Sequence, residues 1–200
     1  MQARPLNPSV TPVAVADLPT QHGSFRAHAF RGAEAEHLAL VAPGSSAVPL
    51  VRLHSECLTG DGFGSLRCDC GPQLQESLRQ LAQSTGGILL YLRGQEGRGI
   101  GLANKMRAYA LQDGGLDTHE ANLALGLPAD ARRYDEAAAM LHALGAGRVR
   151  LLTNNPEKVA ALTAHGVEVA QTVPLIMPPN PFNAGYLATK ARKFGHALAQ

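Results

Sequence analysis

Two hundred residues suit one domain, and 45% hydrophobic against 17% charged residues describe a chain that buries a core rather than a disordered one. A net charge of +2 and 4% aromatic residues argue against a nucleic-acid-binding surface, so any anion must be met by local arginines and lysines. No stretch nears the roughly 18 apolar residues of a membrane span, and the opening residues lack an apolar signal-peptide run, so the expected location is the reducing cytoplasm.

Residues 1–11 are Pro-rich and polar and are expected to be a flexible terminus, with one folded domain over 12–197. From Val13 to about Leu53, runs such as 23–30 and 37–42 are broken by turn residues, the pattern of strands in a hairpin or meander. A cysteine-bearing loop follows. The next helix is predicted over 72–83, with Pro72 at its first position and Leu74, Leu78 and Leu81 as the buried stripe. Residues 86–92 read as a buried strand closed by a Gly-rich turn, 100–113 as a second helix and 117–126 as a short third. Tyr134–Leu144 is another amphipathic helix, ended by Gly145. A strand over 148–153, a helix opened by Asn155 and Pro156, a strand over 167–175 and a helix over 183–197 complete the chain. Strands first and alternation later predict an α+β fold close to α/β: a mixed sheet with flanking helices and an N-terminal β-meander.

Cys57, Cys68 and Cys70 are the only cysteines, spaced C-x10-C-x-C within the segment 54–71. Thiolates are soft ligands suited to zinc, and three of them leave a fourth position open, the arrangement a catalytic metal needs. Two other readings remain open at this point: His54 as a fourth ligand in a closed structural site, or cysteines packed as small apolar residues. Three thiolates outweigh the charge of one zinc ion, so the centre is a weak Lewis acid that needs a neighbouring base. Glu56, Asp61 and Asp69 are the carboxylates at hand.

Residues 93–102, RGQEGRGIGL, join a predicted strand to a predicted helix, and their glycines with Arg93 and Arg98 suit a polyphosphate at a helix N-terminus. The spacing matches neither a P-loop nor a dinucleotide fingerprint. Downstream, Asp130, Arg132 and Arg133 crowd one loop, where guanidinium forks could grip phosphate. Lys158 in a first helical turn opposes the helix dipole, which an anion nearby would explain. His119 and His142 are expected on ordinary helix surfaces.

The segments 51–74, 91–113, 117–122, 125–134, 151–158 and the tail 185–198 together resemble GTP cyclohydrolase II, in order and with nearly the expected gaps, over roughly residues 50–197. The resemblance implies zinc on Cys57, Cys68 and Cys70. It implies nucleotide contacts from Arg52, Leu53, His54, Ser55 and Glu56, from Gln73, from Glu96, Gly97 and Arg98, and from Thr118, Thr153 and Lys158. It makes Asp130 a proton acceptor, Arg132 the nucleophile toward the α-phosphate, and Tyr109 a participant in the ring chemistry. The implied products are formate, pyrophosphate and a diaminopyrimidinone ribosylamine phosphate, at the entry to riboflavin synthesis. Magnesium on the phosphates and a homodimer are implied as well. Two positions depart from the family pattern: Arg133 stands where an acidic residue is usual, and His119 where an apolar one is. The dihydroxybutanone phosphate synthase domain that many bacteria fuse upstream is not in the sequence, so the chain is expected to act alone. Two other functions compete: a ring-opening variant that retains the formyl group, and a zinc-stabilised nucleic-acid-binding module.

Overall fold

A computed structural model of the chain describes residues 10–187. Residues 1–9 of the expected flexible terminus, and most of the helix expected over 183–197, lie outside the described residues. Strands β1 (Thr11–Thr20), β2 (Gly23–Arg31) and β3 (Glu36–Val41) pair antiparallel as a meander. The remaining strands, β4 (Leu50–Ser55), β5 (Ile88–Leu92), β6 (Arg148–Leu152) and β7 (Glu168–Val173), are mutually parallel, and the seven-stranded order is β1-β2-β3-β5-β4-β6-β7. The sheet is mixed, as expected, but the meander stops at β3. β4 leaves it to lie between β5 and β6, because a strand covered on both faces belongs in the parallel interior.

The helices are α1 (Leu58–Asp61), α2 (Cys70–Ala82), α3 (Glu96–Gly99), α4 (Leu102–Asp113), α5 (Thr118–Ala124), α6 (Asp135–Ala143) and α7 (Pro156–Ala164). α2 begins two residues before the expected start, so Pro72 is its third residue rather than its first. The first-turn N–H groups of a helix have no intrahelical partner, so proline fits there without losing a bond. α3 is a tight turn rather than regular helix, since Gly97 and Arg98 both have left-handed backbones.

Side chains alternate between two cores, as a pleated sheet requires. Val51, Leu53, Ile88, Leu90, Leu92, Val149 and Leu151 pack with α6 and α7 on one face. Leu50, Leu89 and Leu152 pack with the Leu74–Leu78–Leu81 stripe of α2 on the other. The connection after β4 leads through α2 to β5, while that after β6 leads through α7 to β7 on the opposite side. Adjacent strands whose connections diverge open a crevice at their carboxyl ends, the usual ligand position in open α/β sheets. Here that crevice lies past Ser55 and Leu152.

Candidate active site

A cleft opens at this point, and its wall carries Arg52, His54, Ser55, Glu56, all three cysteines and Gln73. Gly97, Arg98, Tyr109, Thr118, Arg132, Thr153 and Lys158 complete the set of expected residues on the wall. Three other expected residues do not line it. The Leu53 side chain is fully buried in the core, and only its carbonyl reaches toward the site, accepting a bond from Lys158 Nζ at 2.8 Å. Glu96 and Asp130 lie behind the wall, each paired with a basic residue that lines it.

The thiols come from two places: Cys57 caps α1, and Cys70 opens α2 just after Cys68. Their sulfurs all lie within 4.8 Å of one another, with Cys57 and Cys68 at 3.8 Å, a group able to hold a metal ion. Gly60 makes this approach possible, because a Cβ there would stand 2.8 Å from Cys68 Sγ and 3.2 Å from Cys57 Sγ. Contacts with Cys68 and Cys70, with Lys105 beside them, pull the Cys57 pKa down. The same contacts, together with burial, push Cys68 and Cys70 up, and a metal bound by all three as thiolates would displace their protons. His54 is not part of the group. Its Nε2 bonds the Asp61 carboxylate at 3.0 Å, and burial lowers its pKa.

Of the three nearby carboxylates, Asp61 accepts from the Tyr91 hydroxyl at 2.8 Å and from the Cys57 amide at 3.0 Å. Glu56 accepts from the Gly94 amide, and Asp69 from the Gln73 side chain. The charged group on the sulfur is instead Lys105, whose Nζ donates to Cys57 Sγ at 3.2 Å. Burial pulls the pKa of this lysine down, but the Glu96 hydrogen bond and the Cys57 sulfur more than offset that and raise it.

Tyr109 is one turn beyond Lys105 on α4. Its ring lies under the Arg67 guanidinium at 4.8 Å and near the Lys105 ammonium at 5.6 Å. Desolvation raises its pKa, so the phenol keeps its proton near neutrality.

On the far wall, Asp130 accepts from the Arg132 amide at 3.0 Å and from Nε at 2.9 Å, and also binds Nη2. Burial would raise the Asp130 pKa, but its bonds with Arg132 hold it below the usual carboxylate value; the same pairing raises that of Arg132. The Tyr134 ring lies within 6 Å of both the Arg132 and Lys158 cations. Arg133 is not beside Arg132 in the cleft; its side chain is 77% exposed and pairs with Asp135. Lys158 therefore has a carbonyl partner in its own fold, not only the expected anion.

Gln95 ties the two walls together, accepting from Ser55 Oγ and donating to the Arg133 carbonyl, each at 2.6 Å. Sequence reasoning missed Lys105, Thr59, Gln95 and Tyr134. For Lys105 a signal existed: Lys105, Ala108, Tyr109 and Gln112 share one face of α4, and all line the cleft.

A family model described as GTP cyclohydrolase II matches residues 11–174. The chain is 57% identical over 194 residues to a GTP cyclohydrolase-2 of Hahella chejuensis (strain KCTC 2396), covering 95% of this chain and 93% of that one. It is 54% identical over 189 residues to a GTP cyclohydrolase-2 of Streptomyces coelicolor, covering 93% and 86%. To a riboflavin biosynthesis protein RibBA of Salinispora arenicola it is 55% identical over 190 residues, covering 93% of this chain and 45% of that one, so it spans about half of that relative.

Proposed function

The chain belongs to the GTP cyclohydrolase II family of riboflavin biosynthesis, and on that premise we propose that it hydrolyses GTP to formate, pyrophosphate and the diaminopyrimidinone ribosylamine phosphate. One observation carries this reading: a single cleft joins a three-thiol metal site to a wall bearing Arg98, Arg132 and Lys158. A purine to be opened and a triphosphate to be cut need those two chemistries side by side.

Cys57, Cys68 and Cys70 would hold zinc. Sulfurs about 2.3 Å from one tetrahedral ion stand about 3.8 Å apart, the separation of Cys57 and Cys68. When bound, zinc supplies a Lewis acid and activates water for attack on the imidazole carbon. Tyr109, protonated by virtue of its burial, donates a proton to the opening ring. Arg52 is held against the Leu152 carbonyl at 3.1 Å and Gln73 at 2.6 Å, a fixed cation at the crevice floor. Burial lowers its pKa to about 10, which leaves it charged at neutral pH. Ser55, His54, Glu56 and Thr118 shape the purine and ribose side of the wall. Arg98, Thr153 and Lys158 receive the phosphates, and magnesium carried on the nucleotide would neutralise part of their charge.

Arg132 meets the α-phosphate. Asp130 already hydrogen-bonds Nε and Nη2, so it stands where a proton acceptor must if a guanidinium nitrogen attacks phosphorus. At rest the pair is ionic, the form that grips phosphate. A homodimer in the cytoplasm, built from a single catalytic domain, belongs to the same proposal.

Incubating the purified chain with GTP, zinc and magnesium and weighing the products tests it. Formate and pyrophosphate in equal amounts are expected. Retention of the formyl group would make it a ring-opening variant, and no turnover would leave a nucleotide-binding module.

A further inference from the structure

The Lys105 ammonium meets three acceptors: Glu96 Oε1 at 2.6 Å, Thr59 Oγ1 at 2.8 Å and Cys57 Sγ at 3.2 Å. An ammonium has three N–H bonds and no acceptor, so all three are committed and none turns to a phosphate. Glu96 is committed too. Its Oε2 accepts from the Leu58 amide at 2.6 Å and its Oε1 from the Gly97 amide at 3.2 Å. With side chains about 8% exposed, the pair is shielded from salt and solvent. The family resemblance makes Glu96 a nucleotide contact, yet its carboxylate faces the lysine and the turn that carries Cys57.

Groups one bond removed from a metal fix its ligands and tune their donation. Three thiolates on a divalent ion carry one negative charge too many. An ammonium bonded to one sulfur draws density from it and offsets that excess. Cys57 is the thiol so treated, and Thr59, two residues on, shares the same donor.

We propose that Lys105 is a positioning residue for the metal centre: anchored by Glu96, it hydrogen-bonds the Cys57 sulfur and weakens that ligand's donation to the bound ion. The inference rests on Cys57, Cys68 and Cys70 holding the metal. A lysine that merely joined α3 to α4 would leave the ion's electronic structure alone.

Cobalt(II) added to metal-free protein reports on this through its sulfur-to-cobalt charge-transfer band in the near ultraviolet. Lys105→Met keeps the apolar stem and removes the donor, so sulfur becomes richer in electrons and the band moves to longer wavelength. Glu96→Gln strips the ammonium of its counter-charge, strengthens its pull on sulfur and moves the band to shorter wavelength. Lys105→Arg restores most of the wild-type position. Shifts in opposite directions are the signature, because a structural brace would move both bands the same way or neither. A stationary band in either variant, at one cobalt per chain, overturns the inference. If circular dichroism shows that Lys105→Met does not fold, Glu96→Gln alone decides. A wild-type chain that forms no such band with cobalt would instead overturn the metal-centre reading, and the inference with it.

Discussion

Arg98 is the one non-glycine among the described residues with a positive φ, 64°, between Gly97 at 60° and Gly99 at 85°. A left-handed backbone costs a side-chain-bearing residue about 1–2 kcal/mol, and such strain gathers where a side chain has a task. Arg98→Gly would relieve it against about 0.5–1 kcal/mol of added chain entropy. The melting temperature is therefore expected to stay within roughly 4 °C of wild type, while kcat/KM for GTP falls at least about tenfold. A large thermal loss with normal turnover would make Arg98 structural. Arg132 allows a sharper test. Arg132→Lys keeps a charge but loses the planar fork that Asp130 holds on two nitrogens. No covalent guanylyl adduct should then be trapped, and pyrophosphate release should fall. Full release would leave Arg132 as an electrostatic contact only. Arg133 offers no rescue, since it points into solvent toward Asp135. At this scale the cysteines were legible because their spacing is itself the signal. Lys105 left only its helical spacing from Tyr109 as a signal, because a lysine on a helix reads as solvated until the thiol beside it is seen.

Among elements, the short α1 carries the most consequence for its length. Its Gly60 sits against two sulfurs and the Cys70 Cβ. Gly60→Ala removes no ligand, yet its methyl group must push a sulfur aside. Zinc retained after dialysis should drop well below one ion per chain, with helix content unchanged by circular dichroism; full occupancy would mean that the loop yields freely. Thr59 on the same turn accepts from Lys105 at 2.8 Å and interacts with the Tyr109 hydroxyl. Thr59→Val should lower kcat several-fold, with little change in KM, by freeing the phenol to rotate. A KM effect alone would point to substrate binding instead. Element types were readable from periodicity, and the α7 start at Pro156, with Asn155 as its cap, came out as the sequence implies. The α2 start did not, since Pro72 is compatible with any of the first positions. The place of β4 was equally hidden, because LVRLHS marks a buried strand without saying which neighbours bury it.

For the whole molecule, the central strand β5 supports both cores, with Leu90 fully buried on one face and Leu89 nearly so on the other. Leu90→Ala is expected to cost about 2–5 kcal/mol, lowering the melting temperature by roughly 5–15 °C. The assembly is open to measurement too: sedimentation equilibrium should give twice the chain mass of 21.0 kDa. A single-chain mass at micromolar concentration would refute the dimer. The placing of β4 between β5 and β6 also has a consequence in time. Its pairing with β6 joins Leu50 to Arg150 and Val51 to Leu151, and bonds from Arg52 to the Leu152 carbonyl and from Lys158 to the Leu53 carbonyl cross the same seam. On a ribosome adding about 5–20 residues each second, β4 emerges roughly 5–20 s before its second neighbour. Through that interval one flank of an otherwise apolar strand stands unpaired, and edges of that kind invite other chains. Arg52 and His54 are the polar side chains inside this strand, with Ser55 at its end. Residues that later form the crevice floor thus serve first as its guard, and replacing both with leucine should send nascent chains into aggregates before any catalytic loss could be measured.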